Sequence, residues 1–530
     1  MKRQTKLFGL MLLILTTFAC KQSEQIVKSE QAVIESSKSK VMLSINSNAG
    51  NISIDWGDET QSNYNDNVIN NEKLLTVSHK YTSENLHTIV IRANSLQVLK
   101  CSEIASLDIS KCHELTDLDC NNTQLTSLDV SKCPKLKRLY CYANRLTSLD
   151  INNCSELEEL SCAYNKITSL DVSKCPKLKS LSCSWSQLTG LDVSNCSELE
   201  ELSCGMNKLT SLDVTNCSKL KSLFCDKNQL TNLDISQCSE LYELQCNNNQ
   251  LTSLEVSNCP KLEKLSCGDN QLMNLDLSKC PKLKSLLCYK NPLTGLDVSN
   301  CLKIETLRCD DNQLVNLDVN KCPKLKSLSC RNNQLTNLDV SNSSELEELS
   351  CSMNKLTSMD VSKCSKLEKL YCSNNRLTSL DVSNCSRLEY LWCNENRLTN
   401  LDISKCSGLE HLDCQSNQLT SLDVSECLQL QYLDCNNNQL TSLDVSKCPK
   451  LTGLDCSDNQ LTNLDVSECL QLQYLDCHSN QLTSLNIKYL MLDALDCRNN
   501  QLTSLDVSNY TYLGELEHDD KVIVQEINEQ

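Results

Sequence analysis

Apolar residues recur with a period of 21 positions from Leu99 onward, over most of the chain. One unit, 136–156, reads LKRLYCYANRLTSLDINNCSE and places Leu, Ile or Cys at seven of its 21 positions. The alternation Leu-x-Cys predicts one short strand per unit, with Leu139 and Cys141 facing inward and Tyr140 facing outward. A single unit cannot bury seven apolar side chains. We therefore predict that successive units stack into a repeat solenoid with one continuous parallel sheet.

Cysteine occupies two columns of this repeat, and with Cys20 these columns contain all 38 cysteines of the chain. Stacked neighbours would lie about 4.8 Å apart with parallel side chains, an arrangement poorly suited to disulfide bonds. Ser343 and Leu490 replace cysteine in the second column, so a unit does not need the thiol. We expect buried thiols that act as small hydrophobic side chains. Disulfides or a bound metal are the alternatives.

Two polar columns accompany the cysteines. An Asn follows three residues after the first Cys, as in Asn144, with Thr123 and Ser186 as exceptions. We expect this Asn to hydrogen-bond the backbone of adjacent turns. The Asp of each LD[VI]S segment, such as Asp129, is predicted to cap backbone N–H groups. Calcium binding along this column is the alternative, and the lysines of SKCPKLK are candidate counter-ions.

The exposed positions of the predicted strands vary from unit to unit, and variable exposed positions are where binding specificity is expected. Between residues 371 and 496 these positions become aromatic and then acidic. Aromatic residues on a rigid concave surface are favoured interface anchors. The candidate partner-binding residues are Tyr371, Tyr390, Trp392, His411, Tyr432, Tyr474, Asp413, Asp434, Asp455, Asp476 and Asp496. Repeat drift after recent duplication is the alternative explanation.

A smaller aromatic group lies in the first units. It consists of Tyr140, Tyr142, Tyr164 and Trp185, and we expect it partly on the rim of the sheet.

The first residues indicate an exported protein. Residues 1–19 combine three basic residues with a short apolar run and are predicted to be a signal peptide. Cys20 directly follows, and this arrangement resembles the lipobox of bacterial lipoproteins, which implies lipidation of Cys20. Ordinary cleavage after Ala19 is the alternative. Residues 20–40 are polar and predict a solvated tether.

Residues 41–94 alternate apolar and polar positions and predict a small all-β module. The segments Asp55-Trp56-Gly57-Asp58 and His79-Lys80-Tyr81 resemble the pattern of the polycystic-kidney-disease (PKD) type β-sandwich. Gly57 would permit a tight turn, while Trp56 and Tyr81 would supply core. We expect the module to cover the open N-terminal edge of the solenoid.

The frame LxxLxCxxNxL is similar to that of the leucine-rich-repeat proteins, and most similar to internalins with 21-residue repeats and a cysteine ladder. The resemblance covers about residues 99–518, and the predicted solenoid spans residues 95–518 with about 20 repeats. It implies a right-handed leucine-rich-repeat horseshoe with a parallel β-sheet on its concave face, followed by a C-terminal tail at 519–530. It also implies a role in adhesion.

Composition and motifs narrow the function. The formal charge of −18 argues against nucleic acid as the main partner. The chain contains no GxGxxG, GxxxxGK[ST] or HExxH motif, so we expect no cofactor, no metal and no enzyme activity. Asp413 and Asp434 could be compared with glycosidase carboxylates. However, an open sheet is not expected to shift either pKa.

These inferences together predict a lipid-anchored protein of the bacterial outer membrane, exposed at the cell surface. Its expected function is non-enzymatic adhesion through the concave face of the solenoid, as a monomer. The expected partner is an extracellular or host protein, or alternatively a glycan. Secretion into the medium or location in the periplasm is the alternative, and a periplasmic protein would be a scaffold for the cell's own proteins.

Overall fold

The computed structural model describes residues 29–47, 51–65, 74–508, 510 and 514–525. The predicted signal peptide and the lipidation site Cys20 lie outside these residues. The chain divides into two compact units, residues 1–199 and 200–530. Within the described ranges, no helix has the length and apolarity needed to cross a membrane.

Unit 1 begins with two small sheets. Their strands are β1 (Glu30–Ser36), β2 (Lys40–Ser47), β3 (Ile52–Asp55), β4 (Gln61–Tyr64), β5 (Leu75–Lys80), β6 (His87–Ala93), β7 (Leu96–Ser102) and β8 (Ser106–Asp108). One sheet has the order β4-β3-β6-β1-β8 and its neighbours are antiparallel. In the other sheet, β2 lies antiparallel between β5 and β7. This region is the predicted all-β module, although its assignment to the PKD type stays a prediction.

The predicted tether is wrong over β1, which is a central strand of the first sheet. Ala32 and Ile34 on this strand are fully buried. The buried carboxylate of Glu30 accepts hydrogen bonds from the backbone N–H of Leu96 at 2.6 Å and of Glu114 at 2.7 Å. The polar composition did not indicate this strand, because β1 pairs only with β6 and β8, which lie more than 50 residues away along the chain.

The module core contains the predicted aromatic residues. Trp56 and Tyr81 are buried, and the Tyr81 hydroxyl donates to the Trp56 carbonyl at 2.8 Å. Gly57 has a φ of 76° and packs so closely against Thr88 that a Cβ would lie 2.5 Å from the Thr88 carbonyl oxygen. The turn therefore requires glycine, as predicted.

Strand β7 joins the module to the solenoid. It pairs antiparallel with β2 on one side and parallel with β9 (Asp117–Asp119) on the other. The edge that the first repeat would expose is thus covered by β2. A strand that covers this edge is what the predicted N-terminal cap requires.

The solenoid has about 20 turns, and most of them contribute one three-residue strand to a parallel sheet. In unit 1, β9 is followed by β10 (Arg138–Tyr140), β11 (Glu159–Ser161) and β12 (Ser180–Ser182). Unit 2 continues with β13 (Glu201–Ser203), β14 (Ser222–Phe224), β15 (Glu243–Gln245), β16 (Lys264–Ser266), β17 (Ser285–Leu287), β18 (Thr306–Arg308), β19 (Ser327–Ser329), β20 (Glu348–Ser350), β21 (Lys369–Tyr371), β22 (Tyr390–Trp392), β23 (His411–Asp413), β24 (Tyr432–Asp434), β25 (Gly453–Asp455), β26 (Tyr474–Asp476) and β27 (Ala494–Asp496).

The interior of each turn follows the repeat. Leu139 is fully buried while Arg138 is exposed. The cysteines of both columns are buried, and burial raises the pKa of the Cys141 thiol, for example. Asn144 donates to the carbonyls of Cys120 and Cys141, at 2.8 and 3.1 Å, and the Asn column is therefore structural, as predicted.

The aspartates of the LD[VI]S segments form a column on the outer side of the turns, here called the outer Asp column. Its members accept the backbone N–H of the residue two positions on, as Asp129 does from Ser131 at 2.8 Å. This geometry confirms the capping prediction. Lys135, one of the predicted counter-ions, pairs instead with Glu114 of the preceding turn at 2.6 Å.

The C-terminal end of the solenoid extends beyond residue 518, where the sequence analysis placed its boundary. Strand β29 (Glu515–Glu517) pairs with β27, and β30 (Ile523–Gln525) pairs with β28 (Ser504–Asp506). The start of the predicted tail is therefore a last partial turn. The Asp519 carboxylate accepts the backbone N–H of Asn499 at 2.9 Å and so supports this end.

Candidate functional site

Strands β21 to β27 bring the predicted partner-binding residues together on one face of the sheet in unit 2. The pairing register places Tyr371, Trp392 and Asp413 side by side, and the aspartates of the next four strands continue the same row. A second row runs through Tyr390, His411, Tyr432, Gly453, Tyr474 and Ala494. We call the eleven predicted residues the aromatic–acidic surface.

The aromatic rings of this surface form two separate groups. Tyr371 and Trp392 meet edge to face, with ring centroids 4.8 Å apart. Tyr390 stacks on His411 at 4.8 Å, and His411 continues to Tyr432 at 6.2 Å. The strand pleat explains the division, since residues two positions apart lie on the same face but in different rows.

Trp392 is the most exposed of these rings, at 46%. Tyr432 and Tyr474 are also partly exposed, and Gly453 lies between them. The Tyr432 ring leans over Gly453, where a Cβ would come within 2.8 Å of the ring. Glycine at this turn thus leaves the space that the Tyr432 side chain fills.

A hollow of about 500 Å³ opens beside the Tyr371–Trp392 pair. These two rings form part of its wall, and the carboxylates of Asp413 and Glu395 lie on one side of it. Arg331 lines the hollow as well, and its guanidinium contacts the Met353 sulfur at 3.5 Å. The hollow therefore offers apolar rings together with charged and polar groups.

The aspartates of the first row form what we call the inner Asp column: Asp413, Asp434, Asp455, Asp476 and Asp496. They are less exposed than the sequence analysis predicted. Asp434 and Asp476 are buried, with 6% and 9% exposure, and the other three are half-buried. The adjacent rows of tyrosines, asparagines and glutamine account for this burial.

Burial changes the acidity of this column. It raises the pKa of Asp413 to about 6, against opposing hydrogen bonds from Gln415. Burial also raises the pKa of Asp434 to about 7, and repulsion by Asp455 adds to the shift. The donors to these carboxylates are neutral: the Asn436 amide, for example, bridges Asp434 at 2.8 Å and Asp455 at 3.1 Å.

The expectation that an open sheet would leave these pKa values unchanged is therefore wrong. Neighbouring side chains remove enough water from Asp413 and Asp434 to disfavour their charged forms. Unshifted pKa values at Asp413 and Asp434 therefore no longer support the expectation of a non-enzymatic protein. That expectation now depends on the absence of catalytic motifs from the sequence.

The far end of the inner Asp column contains a residue that the sequence analysis did not select, His478. Its Nδ1 lies 2.6 Å from Asp476 and 4.0 Å from Asp496, and its Nε2 lies 3.4 Å from Asp458. Asp496 is also held by the Arg498 guanidinium at 2.5 Å. The Asp476, His478 and Asp496 side chains are close enough together to hold a metal ion. His478 and Arg498 thus contact the carboxylates at this end of the column.

The position directly after the first Cys supplies most of these contacts, through Gln415, Asn436, Ser457, His478 and Arg498. The sequence does contain a signal for this row, because donor side chains follow the acidic strands on five consecutive turns.

The smaller aromatic group lies in unit 1. Tyr142, Tyr164 and Trp185 form a continuous row of rings, with centroids 5.1 and 4.9 Å apart. Tyr140 is in another row and donates its hydroxyl to Glu159.

Comparison with known proteins identifies the family. A sequence model described as "Leucine Rich repeats (2 copies)" matches residues 113–154, 344–385, 365–406 and 407–448. The functional domain of the internalin InlJ from Listeria monocytogenes, described as including a cysteine ladder, is 37% identical over 60% of this chain and 71% of that domain, with a TM-score of 0.57. This chain belongs to the leucine-rich-repeat family. The resemblance to cysteine-ladder internalins is thereby confirmed.

Other leucine-rich-repeat structures share the fold. The plant peptide hormone receptor RGFR1, solved in complex with RGF2, is 23% identical over 80% of each chain, with a TM-score of 0.71. YopM from Yersinia enterocolitica is 23% identical over 80% of this chain and 91% of its own, with a TM-score of 0.61. No curated protein sequence matches the chain significantly. These neighbours establish the solenoid architecture and no more.

Proposed function

We propose that this leucine-rich-repeat protein is a non-enzymatic adhesin that binds an extracellular or host protein through the aromatic–acidic surface. The observation that carries the proposal is the in-register placement of aromatic rings and partly buried carboxylates on strands β21 to β27. A rigid sheet holds these side chains in place, so binding costs little conformational entropy.

We further propose that Cys20 is lipidated and anchors the protein in the bacterial outer membrane, with the solenoid at the cell surface. Support comes from the basic and apolar residues before Cys20 and from the likeness to an internalin. Protease treatment of intact cells, followed by immunodetection of residues 99–518, tests the location. Loss of the protein supports surface exposure. Protection until the outer membrane is opened would contradict it and favour a periplasmic scaffold.

The binding surface is tested by screening the purified chain against panels of extracellular proteins and glycans. Tyr371→Ala combined with Trp392→Ala should weaken binding of a captured partner by more than ~2 kcal/mol, because aromatic anchors dominate interface energetics. The matched control is Tyr164→Ala with Trp185→Ala, which removes another contacting Tyr–Trp ring pair, in unit 1. Unchanged affinity in the folded Tyr371/Trp392 variant would overturn the proposed surface.

A further inference from the structure

The charges of the inner Asp column differ from those on the rest of the solenoid. Outside this column, Glu and Lys side chains of successive turns form ion pairs, such as Lys284 with Glu263 at 2.7 Å and Lys366 with Glu345 at 2.6 Å. Asp413, Asp434 and Asp455 have no Lys, Arg or His ion pair anywhere in the described part of the chain. Three adjacent carboxylates thus face the same surface with only neutral donors.

The negative charges of this row are not balanced by ion pairs within the described part of the chain. Carboxylates on adjacent strands, about 4.8 Å apart, repel each other, and partial burial reduces the water that would screen this repulsion. Amide and hydroxyl donors from Asn436 and Ser457 relieve only part of it. Positive charge brought by a partner would complete the row, because opposite charges at an interface steer and stabilise association.

The hollow beside this row fits a cationic side chain with an apolar stem. The rings of Tyr371 and Trp392 can cover the stem and attract the cation, while Asp413 and Glu395 provide carboxylates at one side. Arg331 on the wall repels a cation, so the charged end must lie toward Asp413 and Glu395. The hollow is thus asymmetric, which gives a bound chain a direction.

The dimensions favour an extended polypeptide. The rows run across strands β21 to β26, which are six consecutive strands of the parallel sheet. At roughly 4.8 Å per strand the row is about 24 Å long, and an extended chain covers that length with about seven residues. Tyr432 and Tyr474 lie beside the acidic row, where they can contact the aliphatic stems of Lys or Arg.

We propose that the aromatic–acidic surface binds an extended basic segment of a protein partner, about seven residues long, laid across strands β21 to β26. One Arg or Lys side chain enters the Tyr371–Trp392 hollow, and further cationic side chains lie over Asp434 and Asp455. This inference rests on the proposed binding function and names the chemistry of the partner.

The test uses the purified full chain and two fluorescein-labelled octapeptides, one alternating Lys and Ser and one alternating Arg and Ser. The binding variant is Asp413→Asn/Asp434→Asn/Asp455→Asn. The matched control is Asp423→Asn/Asp444→Asn/Asp465→Asn, which removes the same charge from the outer Asp column of the same turns. Fluorescence anisotropy should show at least a tenfold loss of affinity in the first variant and less than a twofold loss in the control.

Equal losses in the two triple variants would overturn the proposal, because they would indicate attraction to the net charge of the chain alone. Absence of binding by both peptides would also overturn it. So would calorimetry showing that Ca²⁺ alone binds the inner Asp column and blocks the peptides.

The proposed function can survive failure of this inference. If a partner from the protein or glycan panel loses affinity with Tyr371→Ala/Trp392→Ala but not with the inner triple variant, the surface is correct and the basic segment is wrong. If neither variant affects a captured partner, the surface itself is wrong.

Discussion

The inner and outer Asp columns contain the same residue at nearly the same spacing, yet their carboxylates behave in opposite ways. In the outer column, backbone and side-chain hydrogen bonds from Ser404 lower the pKa of Asp402, and those from Ser425 lower the pKa of Asp423. In the inner column, burial raises the pKa of Asp413 and of Asp434.

This difference separates structural acids from candidate binding acids. The outer carboxylates are exposed to water and each caps the turn that follows, so they help the repeat to fold. Burial disfavours the charged forms of Asp413 and Asp434 in the inner column. Perturbed groups of this kind cluster at functional sites, although structural networks also produce them.

The largest expected effect on stability comes from placing an aspartate at a fully buried position, an environment that neither column provides. Leu433 has no exposed surface and lies between Tyr432 and Asp434. Leu433→Asp should lower the free energy of unfolding by more than ~4 kcal/mol, because it buries an unpaired charge. Denaturant titration with hydrogen exchange should show that the turns around β24 open first. Leu433→Met is the control, and one single cooperative transition in the Asp variant would contradict the linear picture.

The inner column should become more stable when its charges are removed. Asp413→Asn/Asp434→Asn should raise the free energy of unfolding at pH 8 by about 2 kcal/mol. This is less than the free energy that corresponds to the two pKa shifts, because solvent reaches part of the site and screens the charges. The raised pKa values mean that wild-type stability falls as pH rises through about 6 to 7. The gain of the variant should therefore vanish near pH 4. Urea titrations from pH 4 to 8 measure the stability gain of the variant. A gain that does not depend on pH would show that the buried carboxylate charges are not its cause.

The outer column should show no such gain when its charges are removed. Asp402→Asn/Asp423→Asn should give no stabilisation at pH 8, because asparagine can keep the cap, as Asn486 does with the Lys488 N–H at 3.2 Å. The lowered pKa values of Asp402 and Asp423 mean that wild-type stability is lost as pH falls below about 4. Thermal denaturation from pH 3 to 8 measures both the stability of the variant at pH 8 and the loss of wild-type stability at low pH. If the outer variant gained as much stability as the inner variant, the net charge of the chain would explain both effects.

The smallest expected effect is a spectroscopic change at His478. Burial opposes protonation of this ring, but the hydrogen bond with Asp476 and the negative charges of Asp476, Asp458 and Asp496 together outweigh burial and raise its pKa. Asp476→Asn should lower the pKa of His478, as followed by NMR of the imidazole C–H signals. Asp465→Asn in the outer column is the control and should leave this pKa unchanged. The same pKa in all three proteins would show that Asp476 does not hold the ring.

Much of the fold could be predicted because the same pattern of apolar and polar residues recurs in about 20 units. Leu139, Cys141 and Asn144 recur in equivalent positions, and each has the burial or hydrogen bonding that the pattern indicated. Strand β1 could not be predicted, because Ala32 and Ile34 become apolar core only when β6 and β8 pack beside them. The prediction of candidate binding residues stays untested by the fold, although their rows do lie side by side.

The sequence by itself determined the period, the strand that each turn contributes, and which residues are neighbours in each row. It could do so because a 21-residue repeat stacks in one register and turns sequence spacing into spatial spacing. Only the tertiary structure decided how much water reaches each carboxylate and which donors satisfy it. Those properties depend on side chains from adjacent turns, such as Asn436 between Asp434 and Asp455, and on distances that the sequence pattern does not contain.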